Sequence, residues 1–191
     1  MQTYKHFFLF NSDFTEIKIR PNSLEHAYLL ILQNDVKSAK KLFQKIDSPR
    51  ANWGNIFCDI LQGFIKEFPT YFQLRNFLEI DLDFLIKNQK IEYIEQVLGA
   101  LETLSIANHE IYKYVARVMQ ANNFPQLTHK YLQESKHIHY NDPELLYMLA
   151  KYYLDTKDVT NANFYIEECI KILPNYYPAQ LIKRKIEEIQ N

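Results

Sequence analysis

From Tyr112 to Pro174 the apolar and small residues follow one pattern stated twice at a step of 34 positions. Tyr112, Val115, Ala116 and Met119 return as Leu146, Leu149, Ala150 and Tyr153, while Thr128, Leu132 and Ser135 return as Ala162, Ile166 and Cys169. Inside each copy these positions lie three and four apart, which gathers them on one face of a helix. Two such helices in each repeat predict a helical hairpin that buries its apolar face by stacking on the next. The small residues Ala116, Thr128, Ala150 and Ala162 fall where two helices can approach closely only if neither carries bulk.

The separation of 12 between Ala150 and Ala162 recurs at Ala27 and Ala39, followed by Phe43 and Ile46 at the same offsets. With Asn34-Asp35 as a turn signal, this predicts a hairpin over 23–47. A degenerate copy over 74–107 centres on Asp81 and Tyr93, with Phe77, Ile80, Phe84, Val97 and Ala100 around them. Ala27 and Asp81 are 54 positions apart, 20 more than one repeat, and the surplus predicts an extra helix inserted at 52–68. The strict copies occupy 109–142 and 143–176.

The two ends differ from the middle. Lys5–Phe10 and Phe14–Ile19 are rich in aromatic and β-branched residues around Asn11-Ser12-Asp13, which predicts a short β-hairpin within 1–20. It would either seal the apolar end of the array or offer an edge for pairing with another chain. At 177–190, Ala179, Ile182, Ile186 and Ile189 form one stripe opposite Lys183, Arg184, Lys185, Glu187 and Glu188. A one-sided helix of this kind caps an array of repeats and presents its charges to water.

The clearer copies resemble the tetratricopeptide repeat family, whose pattern is Trp-x2-Leu-Gly-x2-Tyr, Ala-x3-Phe-x2-Ala and Pro. Leu146 stands for the Trp, Ala150 for the Gly, Ile166 for the Phe, Cys169 for the last Ala and Pro174 for the Pro; in the earlier copy Tyr140 replaces that Pro. The resemblance implies an all-α fold, a right-handed α–α superhelix of stacked hairpins, with the β-hairpin and capping helix as additions. It also implies a non-enzymatic module that holds a partner peptide or helix on the concave face formed by the first helices. Some members clamp a chaperone's terminal carboxylate there, but Tyr114 and Met148 stand where amides or cations would be wanted, so that ligand is not expected.

Composition narrows the chemistry. Three glycines in 191 residues leave little material for phosphate-cradling loops, and no linker-like stretch interrupts the chain, so one domain is expected. A net charge of −1 gives no dense basic surface for nucleic acid. No apolar run nears the roughly 18 residues that span a bilayer, Phe7–Phe10 is too short for a secretory core, and a cytoplasmic location is expected. Cys58 and Cys169 read as buried free thiols. His137 and His139 are two apart without a third ligand nearby, and read as solvated rather than metal-binding. Neither metal nor cofactor is expected, and no Gly-x-Ser-x-Gly elbow or Cys-x2-Cys pair suggests an enzyme. Asp81 lies at the centre of the stripe made by Leu74, Phe77, Leu78, Phe84 and Leu85. A carboxylate there needs a partner, and a Tyr, Lys or Arg from a neighbouring helix is the expected one.

Partner binding is expected on the first helices. Arg117, Lys151 and Lys185 recur at the 34-residue step, with Lys113 one turn before Arg117 and Tyr114 and Tyr147 beside the column. Such a surface suits an acidic segment with apolar anchors, because charge assists capture while buried apolar contacts supply most of the affinity. The alternative is a structural subunit that self-associates through the same face or through the N-terminal hairpin.

Overall fold

The computed structural model describes residues 19–190. The expected β-hairpin falls almost entirely on residues 1–18, outside the described residues. Among the described residues every regular element is helical. The chain divides into two compact units, one ending at Asn108 and the other beginning at His109, which is where the strict 34-residue register starts.

In the first unit, α1 (Leu24–Leu32) begins at Ser23, whose hydroxyl accepts from the His26 N–H, and α2 (Val36–Phe43) begins at Asp35, which accepts from the Ser38 N–H. These side chains satisfy amides that have no partner inside the helix. α3 (Pro49–Leu61) occupies the region expected to hold an extra helix, but starts earlier, because Ser48 caps it and Pro49 fits its first turn. Residues 71–87 form one continuous helix, α4, made of Tyr71–Gln73, a widened π turn at Leu74–Leu78, and Glu79–Lys87. α5 (Ile91–Gly99) and the short α6 (Leu101–Ser105) complete the unit.

The core of this unit is aromatic at its centre. Tyr28 meets Phe43 and Phe84 edge-on at 5.2 and 5.6 Å, and Trp53 stacks on Phe57 at 5.6 Å. Gly54 is required by this packing: a Cβ there would lie 2.6 Å from the Phe43 ring. Leu74, Leu78, Leu82 and Leu85 of α4 are fully buried, and Asp81 is buried among them. Its Oδ2 accepts from the Tyr28 hydroxyl (3.0 Å) and the Trp53 indole N–H (2.5 Å), while Oδ1 accepts from Arg50. The Arg50 guanidinium lies between the Tyr28 and Phe77 rings, 4.9 and 4.8 Å from their centroids. Burial pushes the Asp81 carboxyl above the ordinary range against the pull of Arg50, Trp53 and Tyr28. The partner expected for Asp81 from the sequence is thus a Tyr and an Arg together. A second buried carboxylate, Asp59, is bridged by Lys40.

In the second unit, α7 (Ile111–Ala121) packs on α8 (Pro125–Ile138), and α9 (Pro143–Asp155) on α10 (Val159–Ile172). α11 (Tyr177–Gln190) lies against both α10 and α9, and α7, α9 and α11 are successive neighbours in one layer. The small residues of the repeat are where close approach demands them: Ala116, Ala150 and Ala162 are 0% exposed and Thr128 is 1% exposed. Cys169 is buried, and its thiol donates to the Pro143 carbonyl at 3.1 Å.

One turn recurs within both units. Asn34, Gln89, Asn123 and Lys157 each have positive φ (65°, 53°, 60° and 65°), and each lies two residues before a second helix. In each case the following amide reaches back to a carbonyl five residues earlier: Asp35 to Leu30, Lys90 to Leu85, Phe124 to Met119 and Asp158 to Tyr153. This is the left-handed helix stop that satisfies the last carbonyls. Asparagine tolerates the conformation, and glutamine and lysine hold it at some cost. The α4–α5 pair, degenerate in sequence, therefore turns as the strict hairpins do.

Candidate functional site

The candidate site is the exposed side of the α7–α9–α11 layer in the second unit, and the six residues singled out from the sequence all lie on those helices. They divide into two groups. Lys113 and Tyr114 are turned inward, 3% and 4% exposed. The Lys113 ammonium meets Asp142 at 2.6 Å, Glu144 at 2.9 Å and Glu110 at 3.2 Å. Burial by itself lowers the proton affinity of an ammonium, but the hydrogen bonds from Lys113 to Asp142 and Glu144 outweigh it and hold this group above the ordinary lysine range. The Tyr114 hydroxyl donates to Glu110 at 2.7 Å. These two side chains bind the second unit together and are not open to a ligand in this arrangement.

Arg117 stands at the edge of the same cluster. Its Nη2 donates to Glu144 Oε1 at 2.7 Å, with both side chains partly exposed. Asp142 also accepts from the Glu144 and Leu145 amides and so caps α9. Three carboxylates, Glu110, Asp142 and Glu144, thus face two cations, Lys113 and Arg117. An acidic ligand approaching here would meet protein carboxylates already holding the cations.

The other three residues lie further along the layer. Tyr147 is half-buried and meets Tyr176 edge-on at 5.5 Å. Lys151 and Lys185 are exposed, and neither forms an ion pair with another described residue. Leu181 and Ile189, four residues either side of Lys185 on α11, are 45% and 53% exposed. Ile189 was expected on the buried stripe of the last helix. In the structure Ala179 and Ile186 are buried and Ile189 is not, because α11 docks through a narrower face than its apolar pattern suggests. Lys183, on its flank, is tied to Glu167 at 2.6 Å and Asn163 at 3.1 Å.

Leu181 escaped notice in the sequence because it is off the main stripe, and an isolated leucine on a charged helix carries little information. The signal that could have found it is its position: 181 is 34 after Tyr147, which is 34 after Lys113. One register position is therefore lysine, tyrosine and leucine in successive first helices.

Other chemistry is sparse. Among the described residues no group of three His, Cys, Asp or Glu side chains could hold a metal ion. Cys58 and Cys169 are buried free thiols; burial pushes both upward in pKa, away from the reactive thiolate. In the first unit an open cleft of about 460 Å³ lies beside the α1–α2 turn, where Asn34, Asp35, Gln62, Glu92, Tyr93 and Gln96 contribute to its lining. No helix among the described residues is long and apolar enough to cross a membrane. No family model, curated protein or solved structure matches the chain.

Proposed function

We propose that the protein is a non-enzymatic interaction module of the tetratricopeptide-like kind, a right-handed stack of helical hairpins that holds an acidic segment of a partner protein on its first helices. The observation that carries this reading is the chemistry of the α9–α11 surface. Lys151 and Lys185 have no ion pair with a described residue, and exposed Leu181 and Ile189 accompany them. Cations without internal partners attract an acidic segment at long range, and apolar side chains beside them supply contact area once it arrives. Arg117 contributes at the margin, where it shares Glu144. A cytoplasmic protein is the natural setting for two free buried thiols.

The test is comparative capture from native lysate with the wild type and with a Lys151→Glu, Lys185→Glu variant. Proteins with acidic segments should be retained by the wild type, released by added salt and lost with the variant. Identical partner sets would remove this surface from the account. The alternative, a structural subunit that self-associates, is separated by light scattering: a mass that rises with concentration and falls with the same variant would favour it.

A further inference from the structure

The second unit builds the contact between neighbouring first helices twice, and the second version lacks both carboxylates, Asp142 and Glu144, that α9 offers to α7 in the first. From α7 to α9 the contact has three pairs, Lys113 with Asp142 at 2.6 Å and with Glu144 at 2.9 Å, and Arg117 with Glu144 at 2.7 Å. Adding 34 to each position gives Tyr147 with Tyr176 and Lys151 with Pro178 from α9 to α11. Two observations show that these positions correspond in the fold as well as in the sequence. Tyr147 and Tyr176 are in ring contact at 5.5 Å, so the first pair survives as an aromatic contact in place of an ion pair. Ile111, Leu145 and Ala179, three members of one register position, are all 0% exposed. The Arg117–Glu144 pair does not survive, because the proline side chain has no acceptor to offer, and Lys151 has no ion pair among the described residues.

We propose that Lys151 is the recognition site for an aspartate or glutamate side chain of the partner, and that this carboxylate takes the place over Pro178 that Glu144 takes beside Arg117. The inference rests on the function proposed above and specifies the ligand contact within it. The protein shows its own version of the bound state at Arg117, where the Glu144 carboxylate sits on the cation at 2.7 Å. At the next step the equivalent group comes from outside. Leu181 is three residues beyond Pro178 and 45% exposed, so the partner residue next to the acid is apolar and covers it. Pro178 lies in the first turn of α11, where a negative charge is also favoured by the peptide dipoles. Asp142, which caps α9, has Tyr176 as its counterpart, and Glu144, the counterpart of Glu110, is held by Lys113 and Arg117 rather than by Lys151.

Two blocked peptides provide the probe: acetyl-Ala-Leu-Glu-Leu-Ala-amide and its Leu-Gln-Leu counterpart, titrated into the isotope-labelled full chain and followed by NMR. The Glu peptide should shift the amides around Lys151 and Leu181 and bind about tenfold more tightly than the Gln peptide. Lys151→Met should abolish that difference. Pro178→Glu, which supplies the missing carboxylate from within, should abolish it too, whereas Pro178→Gln should keep it; the dispersion of the α11 signals reports that both variants fold. Retention of the Glu preference in Pro178→Glu, or equal binding of the two peptides, overturns the inference while leaving the surface as a binding face. Absence of any shift on α7, α9 and α11 with either peptide overturns both the inference and the reading on which it rests.

Discussion

Replacing Asp81 by asparagine tests what holds the first unit together. The amide oxygen can occupy the place of Oδ2 and keep the bonds from Tyr28 and Trp53, 3.0 and 2.5 Å long in the wild type. The amide NH2 then faces Arg50, donor against donor. Two effects oppose each other. Removing the charge relieves the cost of burying a carboxylate that is only 1% exposed, but it leaves Arg50, 13% exposed, without its counter-ion. Arginine cannot escape by losing its proton, so the second effect wins. Breaking one side of a buried pair costs about 3–5 kcal/mol. The Tyr28 and Phe77 rings against the guanidinium are present before and after the change and so do not offset this cost. A loss of about 3 kcal/mol is expected, a large part of the stability of a unit this size.

The chain carries its own probe. Trp53 is the single tryptophan, it bonds to Asp81 and it lies in the first unit, so its fluorescence during urea unfolding reports that unit alone. Arg50→Met in the Asp81→Asn background should cost less than the sum of the two single changes, since neither charge is then stranded. An Asp81→Asn variant within about 0.5 kcal/mol of wild type, the usual range for an inconsequential substitution, would refute the argument that the guanidinium depends on this carboxylate.

Gly54→Ala places a methyl group 2.6 Å from the Phe43 ring and should destabilise the first unit by about 1–3 kcal/mol through overpacking, read by the same fluorescence titration; no loss would mean Phe43 has room to move. Lys113→Met removes the ammonium shared by Glu110, Asp142 and Glu144. These acids keep some access to water, so the loss in the second unit should be about 1–2 kcal/mol, below the value for a fully buried pair, and it should appear in circular dichroism without a change in Trp53 emission. Asp35 and Asp158 accept from Ser38 and Asn161, which hold both carboxyls below the ordinary range. Their contribution is therefore complete above the unfolded-state pKa and is lost as pH falls through the lower folded-state value. Acid titration of helicity should be less steep in Asp158→Asn than in the wild type, and an unchanged slope would exclude this cap as a source of acid sensitivity.

The all-helical architecture was legible because its packing is written in small side chains at fixed positions. Ala27 and Ala39, like Ala150 and Ala162, are 12 apart and fully buried. A helix lies in the region of surplus residues, but neither end was read correctly: it runs from Pro49 to Leu61 rather than over 52–68. The signal was present in Ser48-Pro49, a cap followed by a residue suited to the first helical turn, and it was missed in favour of the apolar run that follows. The π turn at Leu74–Leu78 could not be read, because one extra residue in a run this apolar leaves the hydrophobic pattern ambiguous. Lys113 shows the limit for sites: in a list of positions it joins a column of cations, whereas in the fold its ammonium is enclosed by acids 29 and 31 residues away, Asp142 and Glu144. Periodicity locates a side chain on a helix face; it does not say which charges of the next helix close over it.

Departures from a repeat carry more functional information than the repeat does. At three fully buried register positions the two strict copies differ within a size class: Val115 and Leu149, Leu132 and Ile166, Ser135 and Cys169 are all 0% exposed. Packing tolerates those exchanges because volume is nearly conserved. At the contacts between first helices the differences are of another kind. An ion pair becomes two tyrosines, and a second ion pair becomes a lysine beside a proline. Tyrosine for lysine keeps a contact that stabilises the stack, so stability alone explains it. Proline for glutamate removes an ion pair between partly exposed side chains, which contributes little, and puts in its place a residue suited to the first turn of α11. Stability is therefore nearly indifferent to that exchange, and its main consequence is that Lys151 is left without the acid that Arg117 has, the group that the proposed partner would supply.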